Sequence, residues 1–253
     1  MSNPVDPDIT LSESNGVRYL HFGSPWIQGA MCLRDPVSIE IEYVRQMMAW
    51  LLFLDQSQAI LQLGLGAGAL SRFCHARLAG ARTTVVERSP AVLSAARQYF
   101  KLPPDDQRLT TVLADAGRFV ESAAVSTYGV LQVDLYDQDA RGPVLDSDAF
   151  YRECARCLNG PGVFVVNLFG DGHRFGRSFD RISRAFAGRA ISLPKNAAGN
   201  VVALAFKGPA IRVPWSDLER RAHRLEAQLG LEAPQWVASL KRIRPESAEC
   251  FAV

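Results

Sequence analysis

The chain has no long hydrophobic run. Its longest, MMAWLLFL at 47–54, holds eight residues, whereas a membrane-spanning helix takes about 20, so no membrane partner is expected. Neither sign of charge is in excess: 28 lysines and arginines against 26 acids give a net +2, too little to argue for nucleic acid. Five arginines (Arg174, Arg177, Arg181, Arg184 and Arg189) do crowd one segment, but at helical spacing, which reads as a solvated helix face. The five cysteines are odd in number and show no disulfide pattern. Cys154 and Cys157 form a CxxC without the second pair that would complete a zinc site, and on a helix they read as buried core thiols. No metal is expected. The opening MSNPVDPDIT lacks the basic and apolar parts of a signal peptide, so the expected compartment is the reducing cytoplasm. There is no internal repeat and no low-complexity tract.

What is present is a rhythm. Residues 9–34 read as short strands, ITLSES, RYLHF and WIQGAMCL, a small N-terminal β element over 1–36. Residues 37–54 carry apolar positions three and four apart and predict a helix. From there strands alternate with helices. The strands are AILQLGLG (59–66), TTVVE (83–87), LTTVLAD (109–115), GVLQVDLY (129–136), GVFVVNLF (162–169), RAISLP (189–194) and NVVALAFKG (200–208). Helices are expected at 69–79, 89–100 with Ser89 as N-cap, 116–123, 146–159, 174–187 and, amphipathic, within 215–245. Alternation of this kind gives an α/β fold, a Rossmann-like doubly wound and mostly parallel seven-stranded sheet over 37–253. The last two strands lie too close together for a crossover, so the terminal pair is expected to be antiparallel.

Ligands of such sheets bind beyond the carboxyl ends of the strands. After the first strand of the alternation comes Gly64-Leu65-Gly66-Ala67-Gly68, a turn that lets backbone approach a ligand. The next three strands each end in an acid: Glu87, Asp115 and Asp134. A strand-end acid is often only the cap of the following helix, and Asp115 before AGRFV is the best case for that. In order, the set points to a nucleoside. Glu87 stands about twenty residues past the glycines, where an acid can accept both ribose hydroxyls. The GxGxG pattern lacks the third glycine that dinucleotide sites use for tight helix packing, which favours an adenosylmethionine-type ligand over NAD.

In these segments the chain resembles the spermidine synthase family of aminopropyltransferases, whose fold is that of class I methyltransferases. The resemblance runs from about Tyr19 to Gly208. Ile27-Gln28 resembles an IQ pair of the family's N-terminal strands, LGLGAG its glycine loop, VVERSPAVLSAARQYF its ribose-binding acid and helix, and ADAGRFV its adenine-side segment. DLYDQDARGPVLDSDAFYREC resembles its D-x-x-D catalytic loop with Gly-Pro and a Phe-containing helix. The resemblance implies that Gln28, Gly64, Gly66, Gly68, Glu87 and Asp115 bind decarboxylated S-adenosylmethionine or S-adenosylmethionine. It implies that Asp134 faces the attacking amine of a small-molecule acceptor, that Asp137 helps hold it, and that the protein is a homodimer. In the dimer, Trp50 or Phe53 of the apolar stretch could reach a partner.

The chain differs from the family in three places. Ala67 stands where the glycine loop carries an acid, about Ile39-Glu40-Ile41 stands for a Tyr-Gln/His-Glu triplet, with Glu40 its one candidate, and NLFGD follows the fifth strand, with Asn167 and Asp171 at that rim. Three readings therefore stay open: aminopropyl transfer, transfer of methyl or another group from adenosylmethionine itself, and nucleoside binding without catalysis.

Overall fold

The computed structural model describes residues 6–56, 58–136, 144–169, 172–243 and 249–253. Three strands, β1 (Ile9–Ser14), β2 (Val17–Phe22) and β3 (Gly29–Cys32), make a small antiparallel sheet. Their hydrophobic side is slight, and Leu20 and Met31 turn inward against Ala67 and Phe100.

The helix expected over 37–54 is instead two pieces: α1 (Glu42–Gln46) and a 3-10 turn over Ala49–Leu52. The reason is burial. Every residue from Met47 to Leu52 is at most 1% exposed, so the segment is apolar all round and its spacing carries no information on where the chain bends. Arg45 closes the start of the segment by donating to the carbonyls of Ile39 and Glu40, each at 2.8 Å.

Strands and helices then alternate as expected: β4 (Ala59–Leu63), α2 (Ala69–Arg77), β5 (Arg82–Glu87), α3 (Pro90–Tyr99), β6 (Leu109–Leu113), α4 (Ala116–Ser122), β7 (Tyr128–Val133), α5 (Asp148–Cys157), β8 (Leu158–Phe169), α6 (Gly172–Ala185), β9 (Ala190–Ser192) and β10 (Asn200–Lys207). Ser89 caps α3 by accepting from the Val92 N–H at 3.1 Å. A short pair, β11 (Arg212–Pro214) and β12 (Cys250–Ala252), and two helices, α7 (Trp215–Leu229) and α8 (Ala233–Ile243), complete the chain. Gly230, in the left-handed region at φ 68°, ends α7 and splits the C-terminal helical segment in two.

The seven-stranded sheet has the order β6-β5-β4-β7-β8-β10-β9. β4, β5, β6, β7 and β8 run parallel, and β10 is antiparallel to both β8 and β9. Successive residues of each strand enter opposite cores. Ile60, Val130, Val163 and Val165 join the face under α2, α7 and α8, while Leu61, Leu131, Phe164 and Val166 join the face under α4, α5 and α6. Cys154 and Cys157 are fully buried in that second core. The arginine-rich helix α6 presents a charged outer face, on which Arg181 pairs with Asp146 and Arg184 with Asp148. The winding reverses between β4 and β7, so the ends of these two strands flank the crevice where ligands of this architecture bind.

Candidate active site

At that crevice lies a cavity of about 290 Å³, walled by Gln28 just before β3, Gly64 and Gly66 from the glycine turn, and Glu87, Asp115 and Asp134 from three strand ends. The turn is dictated by contact. A β carbon on Gly64 would lie 2.2 Å from the Asp134 carbonyl oxygen, and its φ of 93° is one L side chains rarely adopt. Glycine therefore lets the ends of β4 and β7 touch, and the Asp134 N–H donates to the Leu63 carbonyl at 3.0 Å. Gly66 likewise makes room for the Gln28 carbonyl, which a β carbon would meet at 3.0 Å. Gly68 has a different part. It is the left-handed N-cap residue of α2, φ 72°, packs against Leu102, and does not line the cavity.

Glu87 closes β5, and both its oxygens are aimed by backbone: Oε2 accepts from the Leu65 N–H at 3.1 Å and Oε1 from the Ser89 N–H at 2.9 Å. With a further backbone hydrogen bond from Arg88, the carboxylate still keeps acceptor capacity for a ligand hydroxyl. Burial raises its pKa, and the hydrogen bonds from Ser89 and Leu65 oppose that rise. Asp115 is both a helix cap and part of the wall. Its Oδ1 caps α4 by accepting from the Arg118 N–H at 3.0 Å, and its side belongs to the cavity wall.

Asp134 stands just past the end of β7, partly shielded. Its Oδ1 accepts from Asn167 Nδ2 at 3.0 Å and its Oδ2 from the Tyr43 hydroxyl at 3.2 Å. Asn167 is in turn held by Asn200, whose Nδ2 donates to Asn167 Oδ1 at 3.1 Å. Burial pushes the Asp134 carboxyl above its ordinary value, against the bonds from Asn167 and Tyr43. The Tyr43 phenol is raised as well, by burial and then by the Asp134 charge, and stays a donor. Among the described residues, no lysine or arginine pairs with Asp134, so neutral donors aim a carboxylate that is left to meet a cation from the cavity.

Asp137, Asp139 and Asp171 lie outside the described residues. Asn167 was legible as a rim residue, but its bond to Asp134 was not. Glu40 takes no part in the wall; its carboxylate accepts from the Ser38 hydroxyl at 3.0 Å. Ile41, Tyr43 and Val44 do line the cavity, and Tyr43, which bonds Asp134, was missed by sequence reasoning because it falls within a run read only for its apolar spacing. Among the described residues, no group of three or more His, Cys, Asp or Glu side chains is placed to hold a metal ion.

Winding order, glycine turn and strand-end acids together define a methyltransferase-type α/β fold with a nucleoside-sized crevice. No protein-family model matches the chain. Over 242 residues it is 36% identical to the polyamine aminopropyltransferase of Chromobacterium violaceum, across 96% of this chain and 92% of that protein. Its fold overlays that of a probable spermidine synthase from Corynebacterium glutamicum with a TM-score of 0.73 at 19% identity, covering 95% of this chain and 90% of the other. It also overlays a spermidine synthase crystallised with the transition-state analogue AdoDATO, with a TM-score of 0.64 at 20% identity, covering 94% and 87%. The chain belongs to the polyamine aminopropyltransferase family, a family of transferases.

Proposed function

We propose that the protein transfers the aminopropyl group of decarboxylated adenosylmethionine to a small amine acceptor. The observation that carries this reading is the position of Asp134. An oriented carboxylate, paired with no cation among the described residues, opens onto the same cavity as the glycine turn and Glu87. In this reading Glu87 accepts the ribose hydroxyls, Asp115 and Gln28 flank the adenosyl group, and the sulfonium points across β4 toward Asp134. The acceptor must attack as a free amine, having given up any extra proton first, because an ammonium has no lone pair. Asp134 orients that amine. Its nitrogen forms a bond to the propyl carbon next to sulfur, the carbon–sulfur bond breaks with its electron pair going to sulfur, and methylthioadenosine leaves. The surplus proton on nitrogen passes to Asp134 or through it to water. Asp137, three residues further on, is assigned to the same acceptor by family resemblance, and so is a homodimeric assembly.

The test is incubation with decarboxylated adenosylmethionine and a panel of diamines, following methylthioadenosine by chromatography. Release that depends on the amine supports the reading, and its absence across the panel overturns it. One observation favours a second reading. Ala67, where the family carries an acid, is 3% exposed and offers no carboxylate to the donor's ammonium. If the donor is adenosylmethionine itself, its binding heat exceeds that of the decarboxylated form.

A further inference from the structure

The cavity floor rests on two amides that the chemistry above does not use. Gln62 on β4 and Gln132 on β7 face each other across the strand pair in register, and each is 1% exposed. Gln132 Nε2 donates to the Met47 carbonyl at 3.0 Å, Gln62 Nε2 donates to Gln132 Oε1 at 3.0 Å, and the Ser71 hydroxyl donates to Gln62 Oε1 at 2.6 Å. The direction of the ladder follows from its end. A carbonyl can only accept, so Gln132 must present its NH₂ to Met47 and its oxygen to Gln62, which then turns its own oxygen to Ser71. Two leucines would fill the same space among Ile60 and Val130 but would take away the partners of the buried Met47 carbonyl and Ser71 hydroxyl, so the ladder matters at its ends.

The ladder ends where the site needs rigidity. Met47 is the C-cap of α1, and α1 carries Tyr43. That helix has five residues and no side-chain N-cap, far too few to hold itself in place. Asp134, just past the end of β7, lies two residues from Gln132, and its N–H still pairs with Leu63 of β4, so the two side chains fall on one side of the extended chain. α1 is thus tied to β7 twice, by Gln132 to the Met47 carbonyl and by Tyr43 to Asp134 Oδ2. We propose that Gln132, braced by Gln62, is a positioning residue that seats α1 on β7 and thereby keeps the Tyr43 hydroxyl on Asp134.

For the reaction this rests on the aminopropyl-transfer reading, but the central test needs no substrate. Four proteins suffice: wild type, Gln132→Met, Tyr43→Phe and the two combined. The titration of the Asp134 carboxyl is followed by carbon-13 NMR, with Asp134→Asn identifying its resonance. Tyr43→Phe removes a donor to the charged carboxylate, so the titration moves to higher pH. Gln132→Met is expected to move it in the same direction, and the combined variant no further than Tyr43→Phe alone, because both act on one hydrogen bond. An unchanged titration in Gln132→Met, or two shifts that add, overturns the proposal. Turnover of Gln132→Met should fall roughly tenfold to a hundredfold, the scale of a misplaced group. If Gln132→Met folds poorly, the Gln62→Leu/Gln132→Leu pair with Ser71→Ala removes both amides and the hydroxyl, leaving only the Met47 carbonyl without its partner. It is expected to melt above Gln132→Met while the Asp134 titration stays displaced, and a titration back at the wild-type position would make the ladder merely structural. A wild type inactive with every diamine would overturn the reaction assignment and leave the titration result standing.

Discussion

The Asp134 carboxyl is raised above its ordinary 3.8 by burial. The folded protein therefore holds that proton more tightly than the unfolded chain, and this residue's contribution to stability falls as pH rises from 3.8 through the folded pKa. Asp134→Asn removes the dependence. Its melting temperature relative to wild type should climb across that interval and be level or slightly higher at neutral pH, as thermal melts at a series of pH values will show. Nucleoside binding should change little, and turnover should drop by roughly 10²–10⁴, the loss typical of a general base. A clear fall in melting temperature with normal nucleoside binding would instead mark Asp134 as a structural acid. Glu87 differs, because its oxygens are already aimed by the Leu65 and Ser89 N–H groups. Glu87→Gln should weaken methylthioadenosine binding by about 1.5–3 kcal/mol, the range for hydrogen bonds to a charged group. Unchanged affinity by calorimetry would remove Glu87 from the ribose.

Among the elements, the glycine turn bears most on the site. Gly64→Ala would drive a β carbon to 2.2 Å from the Asp134 carbonyl at a φ of 93°. It should cost at least about 1–3 kcal/mol in backbone strain alone and abolish nucleoside binding, measured by denaturant melts and calorimetry. This turn was legible because glycine at a strand end has a local cause, and the buried strands were legible because parallel strands are apolar throughout. Other parts were not. The 37–54 segment looked like one helix because a stretch buried on all sides has no polar face to betray a bend. Tyr43 and Asn200 join the site through contacts at separations of 91 residues and 33 residues, and no local pattern encodes such pairings. Asp115 shows the converse, since its capping role and its place in the wall were both readable from position alone.

At the scale of the molecule, the two residues of the apolar stretch that could reach a partner pack inward. Trp50 is fully buried, and Phe53 packs on Phe206 and Phe251 at ring separations of 4.9 and 5.2 Å. The proposed homodimer thus stands on family membership, and sedimentation at micromolar concentration should give twice the 27.8 kDa chain mass; a monomer there would remove it. Among the contacts between the N-terminal sheet and the seven-stranded sheet is a tight one, where a β carbon on Gly29 would lie 2.5 Å from the β carbon of Ala67. That contact constrains the order in which this lineage can change. The same β carbon on Gly29 would lie 2.8 Å from the Ala67 backbone nitrogen, so position 29 must stay glycine whatever side chain stands at 67. An ancestor or descendant with an acid at 67 must have held glycine at 29 throughout. Ala67 is itself 3% exposed beside Leu20, Met31 and Phe100, so a larger side chain there has to find room among these neighbours or reach into the cavity.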